Sequence, residues 1–331
     1  MVAGLIFLKN QIEIEQAVIT SGHGKDYSVV ARSNGVDKKL DNELVKLSLP
    51  PLFLDPSSKF EELVKVFPVK GKRMGVSFVS VAGRDEYNRP ARLRSHTFLL
   101  PRNVYDSVVD ISFLREHVTE NDVSGDLDKV LIDRSNLITT VGSLYNLYDS
   151  KKFSMFLDLA ADQILVNALS TLFEGKKVII YAGEKVLTSK IMDKKKLTSY
   201  DFIRFLLLFV PSPWRHKFGY TTLSSRFTIE RTSIIFNERV SHVSKMDGIL
   251  VDLENGVIEN ARVFGPIKDY VNKLIEYFDS GVLDKTLLYM NTMSESFFNL
   301  ANISSGNHRE GVKLINRILE LSEMLMEKFN V

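Results

Sequence analysis

Between Phe153 and Arg226 the chain carries a pattern that few architectures can satisfy. Phe153, Phe156, Leu157, Ala160, Ala161, Ile164, Leu165, Ala168, Leu169 and Leu172 recur at steps of three and one. That spacing lines one face of a helix and predicts about six amphipathic turns. Glu174-Gly175 predicts the stop, since glycine supplies the left-handed residue that ends many helices. Val178 to Tyr181 is then a short apolar run between Lys177 and Gly183, as in a strand covered on both faces. Tyr200 to Val210 is apolar on nearly every side, and its core run Phe205 to Val210 extends only by crossing Arg204. A helix apolar all round must be buried under other elements. Pro211 and Pro213 end it, because proline removes the amide donor a helix needs. Helix, buried strand and buried helix in that order require stacked layers.

The flanking segments read differently. Ile12 to Thr20 and Tyr27 to Arg32 alternate as strands around Ser21-Gly22-His23-Gly24-Lys25-Asp26, whose glycines permit a turn. Residues 2–8 read as a further strand. Val36 to Leu47 predicts a helix with Leu40, Leu44 and Leu47 on one face, closed by Pro50-Pro51. Glu61 to Val66 is read as a short turn of helix. Gly75 to Val81 and Leu93 to Leu100 predict two strands joined by a polar hairpin loop at 83–90, and Ile111 to Val118 a helix. Leu127 to Leu137 holds a short extended segment. Beyond Ser225 the pattern predicts strands at Phe227 to Glu230, Ser233 to Phe236 and Gly248 to Leu253. Asn255-Gly256 signals a hairpin turn into Val257 to Val263. A helix from Pro266 to Phe278 and a helical tail with an apolar stripe from Val312 to Phe329 complete the chain.

Composition narrows the chemistry. The 331 residues include no cysteine, which excludes disulfides, thiolate catalysis and Cys-ligated zinc or iron–sulfur clusters. With 43 basic and 41 acidic residues the net charge is +2, so no global field points to nucleic acid or an anionic membrane. No apolar run approaches the roughly 20 residues of a membrane span, and no targeting signal is visible, so a cytoplasmic location is expected. There is no Gly-x-x-x-x-Gly-Lys-Ser/Thr, Gly-x-Gly-x-x-Gly or Gly-x-Ser-x-Gly motif. No cofactor is expected.

The six histidines, at 23, 96, 117, 216, 242 and 308, share no i, i+3 or i+4 spacing, and no metal site is expected. Two readings stay open for each remaining candidate. His23 between two glycines is a catalytic or phosphate-contacting group on a backbone nest, or part of a turn whose glycines serve geometry alone. Arg94, His96 and Phe98 share one strand face, which binds an anion or is simply solvated; the second is the commoner case. Lys194-Lys195-Lys196 contacts phosphate or an acidic partner, or is a solvated loop. Trp214, the only tryptophan, is a core anchor or, with Arg215, an interface hot spot.

Two resemblances organise these readings. Ala168-Leu169-Ser170-Thr171-Leu172-Phe173-Glu174-Gly175-Lys176-Lys177-Val178-Ile179-Ile180-Tyr181, followed by Phe205-Leu206-Leu207-Leu208-Phe209-Val210-Pro211-Ser212-Pro213-Trp214-Arg215-His216, resembles the central part of DENN-type modules. The N-terminal order of strands and helices resembles the longin domain that precedes the DENN core. Gln16 to Gly24, Arg94 to Pro101 and Pro213 to Thr222 are similar to segments of prokaryotic GTPase-associated proteins, in their N-terminal and middle domains. The resemblance implies a protein that works with a GTPase rather than one that binds GTP itself.

The expected fold is therefore α+β to α/β: a longin-like domain over 1–125, a DENN-like three-layer α/β domain over 126–265, and a helical C-terminal segment over 266–331. The expected function is a regulatory or scaffold protein for a small GTPase or another protein partner, with nucleotide exchange as the activity; the chain leans away from being an enzyme. Its binding residues would be Trp214, Arg215, Lys194, Lys195, Lys196 and Arg94. The alternatives are a hydrolase or transferase using His23 and His96, and a homo-oligomeric structural protein interfacing through the stripes at 153–172 and 312–329.

Overall fold

The structure is a computed structural model. It describes residues 11–21, 26–50, 62–81, 93–108, 110–119, 123–137, 151–160, 163–183, 186–188, 195–210, 212–224, 230–237, 248–263, 265–281 and 286. His23, Lys194, the strand expected at 2–8, the loop at 83–90 and the tail stripe at 312–329 lie outside the described residues.

The first strands are β1 (Gln11–Ser21) and β2 (Tyr27–Ser33), followed by the helix α1 (Asp41–Ser48). Next come β3 (Leu63–Val69), β4 (Arg73–Val81) and β5 (Leu93–Pro101). The expected helical turn at 61–66 is thus a strand. Val64, Val66 and Val69 are stiff at χ1 and pack better on a pleated surface than in a helix, and neighbouring strands pair with this segment on both sides. The short helix α2 (Arg102–Ser107), absent from the sequence reading, leads into a 3-10 turn at Ser112–His117. Then follow β6 (Gly125–Leu127) and β7 (Val130–Asp133).

The six-turn helix expected over 153–172 is two helices, α3 (Lys151–Ala160) and α4 (Gln163–Phe173). A continuous apolar stripe does not distinguish one long helix from two that bury the same face. The end of α4 is as expected: Lys176 N–H donates to Thr171 O and Gly175 N–H to Leu172 O, with Gly175 at φ +75°. This is the Schellman arrangement, and it turns the chain into β8 (Lys177–Tyr181). Helix α5 (Ser199–Leu208) opens on a capping box, with Thr198 and Asp201 exchanging side-chain and backbone bonds. A 3-10 turn at Ser212–Lys217 leads to β9 (Tyr220–Ser224), then β10 (Ile234–Asn237), β11 (Gly248–Asp252), β12 (Val257–Glu259) and α6 (Gly265–Asp279).

The fold is mixed α/β around one large mixed sheet of order β12-β11-β8-β10-β9-β3-β4-β5-β1-β2-β6, with β7 also paired to β1. Strands β11, β8, β10 and β9 are parallel, whereas β3, β4, β5, β1 and β2 are antiparallel. The two halves join edge to edge where β3 runs antiparallel to β9, through Lys65↔Thr221 and Val66↔Tyr220. The strands of 1–125 and 126–265 therefore form a single sheet. Segments β6, which straddles the expected boundary, and β7, just past it, pair back to β2 and β1.

One face of this sheet carries a continuous apolar layer. Val64, Val66, Val76, Phe98, Val178, Ile180, Ile234 and Val251 all belong to it. Phe153, Phe156, Phe202, Phe205 and Phe209 of the helices and the residues after α5 interlock above it, with ring centroids 5.0–6.4 Å apart. The opposite face of the antiparallel half is covered by α1, where Leu44 packs with Ala17, Ile19, Phe67 and Leu99. Among the described residues, no single helix is long and apolar enough to cross a membrane.

Candidate functional site

The structure does not bring the ionisable side chains singled out by the sequence into one site: Arg94 and His96 lie on β5, two strands from the join of the half-sheets, Arg215 lies in the 3-10 turn after α5, and all three face inward. Burying the Arg94/His96/Phe98 face of β5 was not expected, since a solvated face was the commoner case. In the structure all three side chains lie in the interior. The His96 ring stacks on Phe98 at 4.5 Å. Thr119 N–H donates to His96 Nδ1 at 3.0 Å, so the single ring proton sits on Nε2 and is donated to Gln16 Oε1 at 2.7 Å. Gln16 in turn donates to Asp128 O. Burial first, then the nearby Arg94 and His117, pushes His96 down to about 4. A neutral ring with both nitrogens engaged has no lone pair or proton for a substrate.

The segment after α5 is also turned inward. Arg215 is buried, and its guanidinium donates from Nε to Leu207 O and Val210 O and from Nη1 to Asp106 O. It thereby adds donors at the C-terminal end of α5, where backbone carbonyls run out of helical N–H partners, and ties that end to Asp106. Burial pushes Arg215 down to about 10. His216 holds the Asp106 carboxylate twice, through its backbone N–H and through Nδ1, each at 2.8 Å. Trp214 packs against Phe173, and Lys217 Nζ lies 3.8 Å from the centre of its ring. Of the expected binding residues, then, Arg94, Trp214 and Arg215 present no open surface to a partner. Lys195 and Lys196 are exposed on the segment leading into α5.

A second charged cluster, which the sequence reading did not assemble, ties α5 to both neighbours. Asp110 accepts from Tyr200 Oη (2.8 Å), Arg204 Nη1 (2.7 Å) and Ser112 N–H (2.9 Å). Burial acts to raise the Asp110 carboxyl, but the Arg204 charge and these hydrogen bonds outweigh it and hold it below the usual range. Asp201 accepts from Lys152 of α3 at 2.6 Å and from Arg204 at 3.1 Å. The available signal was Arg204 itself, the one cation in a helix that is apolar from Phe202 onward but for that residue. A third cluster, Lys65 with Glu230, lies at the seam between β3 and β9. Its signal was likewise a single charge within Leu63–Val69.

The arrangement is rich in ion pairs and poor in reactive groups. His216 with Asp106 has the form of a base held by a carboxylate, and its side chain is 22% exposed. Among the described residues, no hydroxyl is hydrogen-bonded to it, so they supply the pair with no nucleophile. No three His, Asp or Glu side chains among the described residues group closely enough to hold a metal ion. Of the stripe on α3 and α4, Phe153, Phe156, Ala160, Leu165, Ala168, Leu169 and Leu172 are buried within the chain, and Leu157 and Ile164 are half-buried. The sequence matches no protein-family model and no curated protein.

Proposed function

We propose that this chain is a regulatory or scaffold protein that binds a small GTPase, and that its activity, where it has one, is to promote nucleotide exchange on that partner. The finer fold belongs to the same proposal: a longin-like antiparallel half followed by a DENN-like parallel half. The order of matching segments along 12–226 supports this reading, and so does the sheet, antiparallel and then parallel. The observation that carries it furthest is the use to which the described charged groups are put. His96, Asp106, Asp110, Asp201, Arg204 and Arg215 are bonded to one another or to backbone, as in a scaffold and not in a reaction centre. The chemistry is left to the partner.

Lys195 and Lys196 are the described members of the expected binding set that remain exposed, and an acidic surface on the partner is their natural complement. The test is capture of small GTPases in GDP-bound, GTP-analogue-bound and nucleotide-free states, with release of a fluorescent GDP followed in parallel. Binding that favours the nucleotide-free state, and that falls in Lys195→Glu/Lys196→Glu, is the expected result. No binding in any nucleotide state overturns the proposal.

A further inference from the structure

The join between the half-sheets is short for the task it performs. Strands β4 and β5 pair from Arg73↔Pro101 through Val81↔Leu93, along their whole length. Among the described residues, strands β3 and β9 pair only at Lys65↔Thr221 and Val66↔Tyr220. Beyond these pairs Val64 N–H donates to the Thr222 hydroxyl oxygen at 2.9 Å, a side-chain bond in place of a ladder bond.

So short a ladder does not specify its own register. Slipping β9 along β3 by one residue would exchange the two faces, and burial forbids it. A slip of two residues preserves the faces, and apolar side chains occupy Leu63, Val64, Val66, Phe67 and Val69 on both. Only one position breaks that sameness. Lys65 is the one charged residue of β3, and its ammonium lies 2.9 Å from Glu230, the two side chains being 3% and 0% exposed. Glu230 stands at the lead-in to β10: its carboxylate accepts from the backbone N–H of Arg231 and Thr232, and its carbonyl from Lys177 Nζ at the start of β8. One residue thus binds β3, β8 and the approach to β10. Gly219, at the entrance to β9, reinforces the alignment, since a Cβ there would lie 2.7 Å from Val66 O.

A buried ion pair of this kind stabilises little beyond what a well-packed apolar pair would. Burial drives the Lys65 ammonium below its ordinary value even with Glu230 alongside. Removing one member, however, strands the other charge in the interior. The geometry points to a register key: the Lys65–Glu230 pair selects the single alignment in which the parallel half docks on the antiparallel half, and so makes the two sheets one rigid body. This device is independent of any partner the protein binds.

The full-length chain tests it in four forms: wild type, Lys65→Met, Glu230→Leu, and Lys65→Met/Glu230→Leu. Urea unfolding and amide exchange by mass spectrometry, on peptides covering 63–69 and 219–224, are the readouts. Each single variant should unfold at lower urea than wild type or fail to fold. The double variant should recover the wild-type midpoint, while exchange of the β3 and β9 peptides accelerates by about tenfold or more and that of β4 and β5 stays unchanged. A double variant with wild-type protection at the seam overturns the key. So does a double variant that fails to fold or loses as much stability as both single changes together, because the pair would then be a source of stability and not of register.

Discussion

His96 donates its one proton to Gln16 and accepts from the Thr119 amide, so a second proton would displace a hydrogen bond in the interior. Its folded value of about 4 lies below the ordinary 6.5. Between those values the unfolded chain binds a proton that the folded chain refuses, so stability is complete above pH 6.5 and falls as pH drops toward 4. The gap corresponds to about 3 kcal/mol. Urea midpoints measured from pH 7 to 4 should decline, and the decline should be shallower in His96→Gln, which cannot titrate. An equal slope in both proteins would assign the effect to other groups. Arg215 offers a second check at this scale, because its buried fork donates to three backbone carbonyls, those of Asp106, Leu207 and Val210. Arg215→Ala should cost about 3 kcal/mol, and Arg215→Lys should still lose about 2 kcal/mol, since an ammonium is a point donor where a planar fork is needed. Chemical denaturation of the two variants side by side would show it.

At the scale of elements, α5 illustrates how local signals and tertiary demand agree. Its apolar surface packs against α3 and the sheet, and its start is set by the Thr198–Asp201 capping box. Thr198→Ala removes one side of the box and should lower stability by about 1 kcal/mol. The change should appear as a lower midpoint without loss of the α5 helix by circular dichroism; an unchanged midpoint would show that burial alone holds the helix end. Strand β3 is the opposite case. Glu61-Glu62 ahead of it suggests a helix start, and Pro68 within it counts against a strand. Pairing with both β4 and β9 nevertheless makes it a central strand, with Pro68 exposed past the last pair with β9. Long-range pairing overrode local preference.

For the whole molecule, the joined sheet and the apolar layer beneath its helices predict one cooperative transition. The sole tryptophan, Trp214, lies in the 3-10 turn that abuts α2, so its fluorescence reports on the join. Thermal unfolding followed by Trp214 fluorescence and by far-ultraviolet circular dichroism should coincide within error. The fragment 1–125 on its own should fail to give a folded monomer. It would bare the Val64–Val66 edge of β3, separate Asp106 and Asp110 from Arg215, His216 and Arg204, and lose β7 and most of β6. Two separate transitions, or a stable monomeric fragment, would show instead that the halves are independent domains.

The sequence alone determined the periodic elements: β1, β2, β4, β5, β8, β11, the Asn255-Gly256 turn, the enclosed helix α5 and the start of α6. In each, the chain's own spacing of apolar side chains records which face must leave water, and that record is local. It also showed that Arg94, His96 and Phe98 share a face, because alternation in a strand is fixed by the backbone. What it could not decide was whether that face met water or a helix, because the answer depends on residues 110–119 folding back over β5. The same limit hid the meeting of Asp106 with His216, of Asp110 with Arg204, and of Lys65 with Glu230. Each pair is separated by roughly a hundred residues or more. No periodicity encodes such distances. Only the closing of two half-sheets along β3 and β9 brings those charges within hydrogen-bond reach, and only there does a lone lysine in an apolar strand acquire a reason.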